Sequence, residues 1–348
     1  MVTVAIWTIG GLLTVQVLLL MFMMIKKHRE LNLVERLNAL DETLTAEFED
    51  FIQGKKALHP RFPEKTVLKV HLMEAILERS LEDADDLQTA RIRELAEESL
   101  TKEYRKRLKH GGWANRINAL YFIEDFKMNN LVDEVYSTVD KSRSRGDEEF
   151  RQGLRTMAAL QDRRLFEFLE KSHFLPASLV KQLFQLLNER AVHVWFSQYD
   201  RYEDVPEHLL GPFISHCGDV KAPSYQAMIE ACLSDPRDEI RIKAVKAMSW
   251  YGEVLNESKI EPFFTSALWQ ERVMVTKLIG SAGLNAYQYQ LKTLMSDPEW
   301  WVRYAAANAL RQLDGGEEML RKIAVSGNDP FAKDMAGYTL TTKWGLTS

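Results

Sequence analysis

A pattern of apolar and polar positions recurs at a nearly fixed interval over residues 235–340. Three runs begin with an arginine, at Arg241, Arg272 and Arg303, and these arginines are 31 residues apart. Each run places apolar side chains three and four positions apart, which is the spacing of one face of an α-helix. A fourth, looser copy begins at Lys333. Self-similarity at this period predicts an array of stacked helix pairs.

The middle of the chain also shows helical spacing, without strand-like alternation. Residues 66–81 and 85–109 predict two helices, and the second ends in a basic cluster at 102–109. That cluster suits the helix dipole, and contact with anionic lipid headgroups is the alternative explanation for it. The run around Arg116 resembles the later repeats, so the array is expected to begin, more loosely, near residue 113. We therefore predict an all-α protein.

The chain opens on an uncharged apolar run, residues 2–25, which leads directly into Lys26-Lys27-His28-Arg29. As a helix the run would be about 36 Å long, enough to cross a hydrocarbon core of about 30 Å. No Lys or Arg precedes it, so the positive-inside rule places the chain that follows in the cytoplasm. A cleavable signal peptide would have a basic start and a small-residue cleavage site. We expect a single-pass cell-membrane anchor at residues 1–25.

The next stretch, residues 26–62, predicts an amphipathic helix followed by a linker. Its apolar stripe consists of Leu33, Leu37, Leu40, Leu44, Phe48 and Phe51. Gly54, Pro60 and Pro63 then end the helix. The stripe either docks on the helical array, expected over residues 63–348, or pairs two copies of the chain as a coiled coil. Fewer than three clean heptads favour docking, and a homodimer through this helix is the alternative.

Composition and motifs limit the functional classes. The net charge of -5 argues against a general nucleic-acid binder. The two cysteines, Cys217 and Cys232, are too few for a disulfide scaffold and predict buried thiols. Motifs for phosphate-binding loops, metalloproteases, serine hydrolases and dithiol chemistry are missing from the sequence. His208, His216 and Cys217 come closest to a metal cluster, but adjacent helical residues point in different directions. We expect no catalytic residue, cofactor or metal.

Several tryptophans raise the question of base stacking. They are Trp195, Trp250, Trp300, Trp301 and Trp344. Stacking on nucleic acid normally goes with a basic groove, and no such groove is evident in the sequence. We therefore expect these residues to pack between repeats.

Three repeats begin with Asp-Pro, at Asp235, Asp297 and Asp329. Aspartate is a favoured N-cap, and proline suits the first helical position. Alanine-rich spots would allow neighbouring helices to approach closely; they are Ala244, Ala247, Ala305, Ala306 and Ala309. With the recurrent arginines, these features resemble the HEAT-repeat family, in a short bacterial form similar to the repeats of phycobiliprotein lyases. The resemblance implies an α-solenoid of HEAT-like helix pairs, firmly over 235–340 and loosely over 113–234.

The resemblance also implies structural roles for recurrent charged residues. In the family, recurrent Asp and Arg side chains stack as a ladder between repeats. The corresponding positions in this chain are Asp235, Arg241, Arg272, Asp297, Arg303 and Asp329. The copy at 266–279 lacks the Asp-Pro start, and the last copy has Lys333 in place of arginine. The resemblance therefore leaves open whether ladder contacts form at these two copies.

An extended solenoid with no catalytic motif favours a scaffold that binds other proteins. The second helices of the repeats would line its concave side, near residues 259–267, 287–295 and 318–325. Four basic residues there are candidates for partner binding, with solvated surface charge as the alternative; they are Lys259, Lys292, Arg321 and Lys322.

The expected partner is a membrane-associated protein, for instance a membrane enzyme complex such as a glycosyltransferase. Two other hypotheses remain open. The first is a bilin-lyase-like maturation factor, which the family resemblance suggests. The second and weaker one is a nucleic-acid-binding HEAT-like protein.

Overall fold

A computed structural model describes the backbone of residues 2–56, 66–142 and 147–342. Within these ranges, side chains are not described at residues 2–10, 12, 29–31, 33–43 and 66–69. Much of the expected anchor, the first half of the expected apolar stripe, Pro60, Pro63 and Trp344 therefore lie outside the described residues. Throughout the described ranges every regular element is a helix, and the all-α prediction is confirmed.

The chain divides into two compact units, Met1–Asp162 and Arg163–Ser348. The helices of the first unit are α1 (Val2–Ile52), α2 (Thr66–Glu82), α3 (Asp86–His110), α4 (Trp113–Asp125), α5 (Val132–Asp140) and α6 (Glu148–Ala159). The long helix α3 packs against α1, α2, α4 and α5, and α6 packs against α4 and α5. Asp85 and Gln88 form a capping box that fixes the start of α3.

Helix α1 is continuous across the boundary at which the sequence analysis separates an anchor from an amphipathic helix. Its last turns carry the described part of the apolar stripe, and Leu44, Phe48 and Phe51 are buried. This end of α1 packs against α2 and α3, and Arg91 Nη1 donates to the Ile52 carbonyl over 3.0 Å. These contacts are those of the docking alternative.

Within the described residues, no helix is both long enough and apolar enough to cross a membrane.

The helices of the second unit are α7 (Leu165–Lys171), α8 (Ala177–Leu186), α9 (Glu189–Phe196), α10 (Glu207–Val220), α11 (Gln226–Ala231), α12 (Asp238–Tyr251), α13 (Trp269–Ala282), α14 (Gln288–Leu294), α15 (Trp300–Gln312), α16 (Gly316–Ser326) and α17 (Pro330–Thr341). Helices α8, α10, α12, α13, α15 and α17 pack side by side in that order, and we call them the first helices. The shorter helices pack on this row, α11 on α12, α14 on α15, and α16 on α15 and α17. The second unit therefore stacks in single file, as the repeat pattern predicts.

The second helix expected near residues 259–267 is absent from this described part of the chain. The segment instead forms two short 3-10 turns, Glu257–Lys259 and Glu261–Thr265. Pro262 lies at the start of the second turn, and its missing N–H removes a donor that a longer helix would use.

Small residues set the spacing of the first helices. A Cβ at Gly218 of α10 would lie 2.9 Å from the Cα and the Cβ of Ala247 in α12. Gly280 of α13 faces Ala309 of α15 in the same way, with 3.1 Å to its Cα. The close approaches expected at Ala247 and Ala309 are therefore present, and each has a glycine as its counterpart.

Gly218→Ala is expected to destabilise the protein by about 1–3 kcal/mol, because the added methyl group would overlap the Ala247 backbone. Gly337→Ala is the matched control, since this helical glycine has nothing within 4 Å of the added Cβ. Alanine there should stabilise the protein by about 0.5–1 kcal/mol through its helix propensity. Chemical denaturation of the two variants checks the difference, and an equal effect at both positions would contradict the close packing.

Candidate protein-binding surface

An arginine occupies the fourth position of three successive first helices, Arg241 in α12, Arg272 in α13 and Arg303 in α15. From this position each guanidinium reaches back over the start of its own helix. Its Nη1 donates to the carbonyl six residues earlier, over 2.9 Å to Asp235, 2.7 Å to Ser266 and 2.7 Å to Asp297. The arginines therefore hold the turns that lead into the first helices.

Two of these arginines also bind the next repeat along the row. Arg241 Nε donates to Glu271 Oε1 over 2.7 Å. Arg272 binds Asp297 with two parallel hydrogen bonds, of 2.7 Å from Nε and 2.9 Å from Nη2. Both carboxylates are buried, with 3% of Glu271 and 8% of Asp297 exposed. The resulting chain of ion pairs from α12 to the start of α15 is called the arginine ladder below.

Glu271 is a ladder residue that the sequence analysis missed. In the copy that lacks Asp-Pro, Ser266 takes the place of the aspartate in the turn, since its Oγ accepts from Leu268 N at 3.1 Å and donates to the Glu271 carboxylate. Glu271 supplies the negative charge from inside the helix. The available signal was an acidic residue directly before the repeat arginine.

The same arrangement occurs in the first unit. Arg116, the fourth residue of α4, donates from Nη1 to the Gly111 carbonyl over 2.8 Å and binds Glu149 of α6 through Nε and Nη2, over 2.5 Å and 2.7 Å. Hydrogen bonds donated to the carboxylates raise the pKa of Arg116, which pairs with Glu149, and of Arg272, which pairs with Asp297. Both guanidinium groups therefore stay charged at any pH the protein meets.

The Asp-Pro starts differ in their relation to the helix. Asp329 is the N-cap of α17, as expected, and Pro330 is its first residue. Asp235 and Asp297 instead lie three residues before their helices and accept a hydrogen bond from the N–H two residues on, Arg237 and Glu299, over 2.9 Å each. In these turns the carboxylate orders the linker, while the helix begins later without a side-chain cap.

Large aromatic side chains lie exposed at the N-terminal ends of α13, α15 and α17. They are Trp269, Trp300, Trp301 and Phe331, which we call the aromatic edge. Trp301 is 57% exposed and Phe331 is 62% exposed. Exposed aromatic residues in one region are uncommon on monomeric proteins and mark sites of association.

Ring contacts connect the two central tryptophans of the aromatic edge to tyrosines of α15 and α17. Trp300 meets Trp301 edge to face, with 4.8 Å between ring centroids, and stacks on Tyr304 at 5.1 Å. Tyr304 in turn lies 6.3 Å from the ring of Tyr338 in α17. These contacts span two neighbouring repeats, so the exposed rings are supported by one another before any partner arrives.

The arginine ladder ends directly beneath the aromatic edge. Arg303 is 9% exposed, and its guanidinium carbon lies 5.0 Å from the centroid of the Phe331 ring, a cation–π contact. Among the described contacts, no hydrogen bond joins Asp329 to Arg303. The Asp329 carboxylate accepts from Phe331 N over 2.7 Å instead. Arg303 thus links the buried ion pairs to the exposed ring of the last repeat.

The family comparison decides the identity of this repeat. The family model described as HEAT repeat matches residues 289–314, which include Asp297 and Arg303 of the arginine ladder. The chain carries a HEAT repeat at these residues. A search of curated proteins finds no match to its sequence.

Two solved structures show what this HEAT-repeat chain is similar to. One is an engineered protein from the Northeast Structural Genomics Consortium, 13% identical, covering 79% of each chain with a TM-score of 0.34. The other is the complex of CpcE and CpcF of phycocyanin lyase from Nostoc sp. PCC7120, 14% identical, covering 69% of this chain and 92% of that chain with a TM-score of 0.30. Likeness at this level carries no inference about function.

Of the four basic residues predicted to bind a partner, Lys292, Arg321 and Lys322 are exposed and Lys259 is half-buried. Arg321 and Lys322 pair with Glu317 and Glu318 one turn earlier in α16, over 3.0 Å and 2.7 Å. Lys259 Nζ lies 3.4 Å from the Glu230 carbonyl, and Lys292 is near the end of α14. A role for these residues in partner binding stays a prediction.

The tryptophans divide between two environments. Trp195 is buried among Phe166, Phe184 and Phe213, as expected for packing between HEAT repeats. Trp250, Trp300 and Trp301 are exposed, so the expectation of packing was wrong for them. Whether a tryptophan is buried depends on where it lies relative to the row of first helices, and the local sequence does not reveal that position.

The cysteines and the histidines singled out in the sequence occupy different surroundings in the structure. Cys217 and Cys232 are buried free thiols, as predicted, and burial raises the pKa of Cys232 to about 12. His216 is buried against Phe184, and burial lowers its pKa. His208 lies instead beside His173. Within the described residues, no group of three or more His, Cys, Asp or Glu is placed to hold a metal ion.

Proposed function

We propose that this HEAT-repeat protein is a scaffold that docks a protein partner on its aromatic edge. The observation that carries the proposal is the exposure of Trp300, Trp301 and Phe331 on adjacent repeats, above a buried ladder that fixes their backbone. Tryptophan and arginine dominate the energetic centres of protein interfaces. A surface whose side chains are already ordered also loses less entropy on binding.

We further propose that α1 tethers the scaffold to the cytoplasmic face of the cell membrane as a single-pass anchor. All the apolar side chains described between Leu13 and Ile25 are exposed, from 49% at Ile25 to 71% at Met24. Such a helix surface is stable in lipid and unfavourable in water. The basic cluster at Lys26-Lys27-His28-Arg29 supports the orientation.

Tethering would raise the effective concentration of the aromatic edge for membrane proteins. The partner we propose is therefore membrane-associated. In its most specific form, the proposal makes this protein an accessory subunit of a membrane enzyme complex, such as a glycosyltransferase. Lys259, Lys292, Arg321 and Lys322 are proposed as secondary contacts. Pairing of two copies through the part of α1 that follows the anchor is a separate proposal. Cross-linking through a cysteine in place of Asn32 tests it.

Replacing Trp301 and Phe331 together by alanine is expected to abolish capture of the partner, because the two most exposed rings of the aromatic edge are lost. The measurement is affinity capture from detergent-solubilised cells, with quantification of proteins recovered in stoichiometric amounts. Val325→Ala is the matched control, since Val325 is an apolar residue of α16 that is 80% exposed. The expected result is a partner that is retained with the control variant and lost with the double variant.

Capture that is equal with the double variant and with the control would reject the aromatic edge as the docking surface. The two other hypotheses predict different results from the same material. A bilin-lyase-like maturation factor would bind a chromophore, and a nucleic-acid binder would be retained on DNA in a salt-sensitive manner.

A further inference from the structure

Two histidines from separate segments of the second unit meet at their ring nitrogens. His173 follows α7 and His208 lies in the first turn of α10, and their Nδ1 atoms are 3.1 Å apart. The ring centroids are 4.3 Å apart and the ring planes are tilted by 59°. His173 is exposed and His208 is partly exposed, so water and small ions reach the pair.

A backbone hydrogen bond fixes the tautomer of His208. Its Nε2 lies 2.8 Å from the Leu169 carbonyl oxygen. A carbonyl can only accept, so Nε2 carries the proton and Nδ1 of the neutral ring presents a lone pair. In the pair, His173 Nδ1–H donates to that lone pair. A histidine whose far nitrogen donates to a backbone carbonyl has the arrangement typical of metal ligands, since the carbonyl orients the ring and increases its basicity.

The spacing of the two nitrogens fits a shared metal ion. With Zn–N bonds of about 2.0–2.1 Å, two ligands at a tetrahedral angle are about 3.3 Å apart, and two at a right angle are about 2.9 Å apart. The observed 3.1 Å lies between these values. At this separation the two Nδ1 atoms would have to move little to bind one ion.

We propose that His173 and His208 form a two-histidine site for a divalent transition-metal ion of the zinc, copper and nickel class. Imidazole nitrogen is a preferred ligand of these ions. On binding, the proton on His173 Nδ1 moves to Nε2 of the same ring through water, and each Nδ1 donates one lone pair to the metal. No third His, Cys, Asp or Glu of the described residues joins the pair, so water completes the coordination.

The test uses the full-length protein in detergent, without a polyhistidine tag, titrated with Zn²⁺ at pH 7.5 by isothermal calorimetry. One ion per chain is expected. His173→Gln should weaken binding by at least about tenfold, since even the loss of an outer-shell partner typically costs that much. His193→Gln is the matched control, because His193 is an exposed histidine of α9 with no part in the pair.

His208→Gln serves as a second variant and should weaken binding as much as His173→Gln. Thermal unfolding without metal confirms that each variant is folded. Co²⁺ in place of Zn²⁺ gives a visible absorption band that should disappear with either variant. Failure to bind one equivalent of Zn²⁺, or equal binding by wild type and His173→Gln, would overturn the proposal. Equal weakening by His193→Gln would also overturn it, since it would indicate diffuse binding to surface imidazoles.

Discussion

Arg272→Ala is expected to lower the free energy of unfolding by about 3–5 kcal/mol, because it leaves the buried carboxylate of Asp297 without its charged partner. Arg272 also holds the Ser266 carbonyl, so the turn before α13 loses a hydrogen bond as well. Both hydrogen bonds to Asp297 are charge-assisted, which makes their loss larger than that of a neutral contact. Urea unfolding followed by tryptophan fluorescence measures the effect, since Trp269 and Trp300 begin the two helices that Arg272 joins.

Arg321→Ala is the matched control for this prediction. Arg321 also pairs with a carboxylate, Glu317, but both side chains are more than half exposed. An exposed pair one turn apart contributes only about 0.3–0.5 kcal/mol. A loss of less than about 1 kcal/mol for Arg272→Ala would contradict the stabilising role of the ladder. It would mean that the buried carboxylate of Asp297 does not need its charged partner.

The arginine ladder shows which parts of this structure could be predicted from the sequence. Helix periodicity and the recurrence of Arg241, Arg272 and Arg303 are local signals, and they place the arginines at the same point of successive helices. The partner of each arginine is not a local signal. Asp297 supplies it from the turn before its helix, whereas Glu271 supplies it from within α13. Only the stacking of repeats brings either one into reach.

Surface features were harder to predict for the same reason. Trp195 and Trp301 both lie in helical sequence, yet one is buried by neighbouring helices and the other faces solvent at the end of the row. His173 and His208 meet although 35 residues separate them, because α7 and α10 lie close together in the second unit. No pattern within a single helix specifies such a contact.

Leu18→Arg combined with Leu19→Arg is expected to release the full-length chain from the membrane. Both side chains are exposed on α1, at 60% and 56%, in the second half of the apolar run. An arginine disfavours insertion by about 2.5–3.5 kcal/mol at the centre of a membrane helix and by less towards its end, so the pair still shifts the equilibrium by several kcal/mol. Cell fractionation without detergent measures the outcome, with the double variant expected in the soluble fraction and the wild type in the membrane pellet.

Val325→Arg provides the control, because it places the same charge on an exposed apolar residue of α16, outside the proposed anchor. If the exposed apolar surface of α1 is bound by lipid, this variant stays in the pellet with the wild type. If that surface is instead covered by a protein partner, the wild type is recovered in a soluble complex and the tether is rejected. The aromatic edge does not depend on this outcome, since the arginine ladder fixes it within the second unit and α1 belongs to the first.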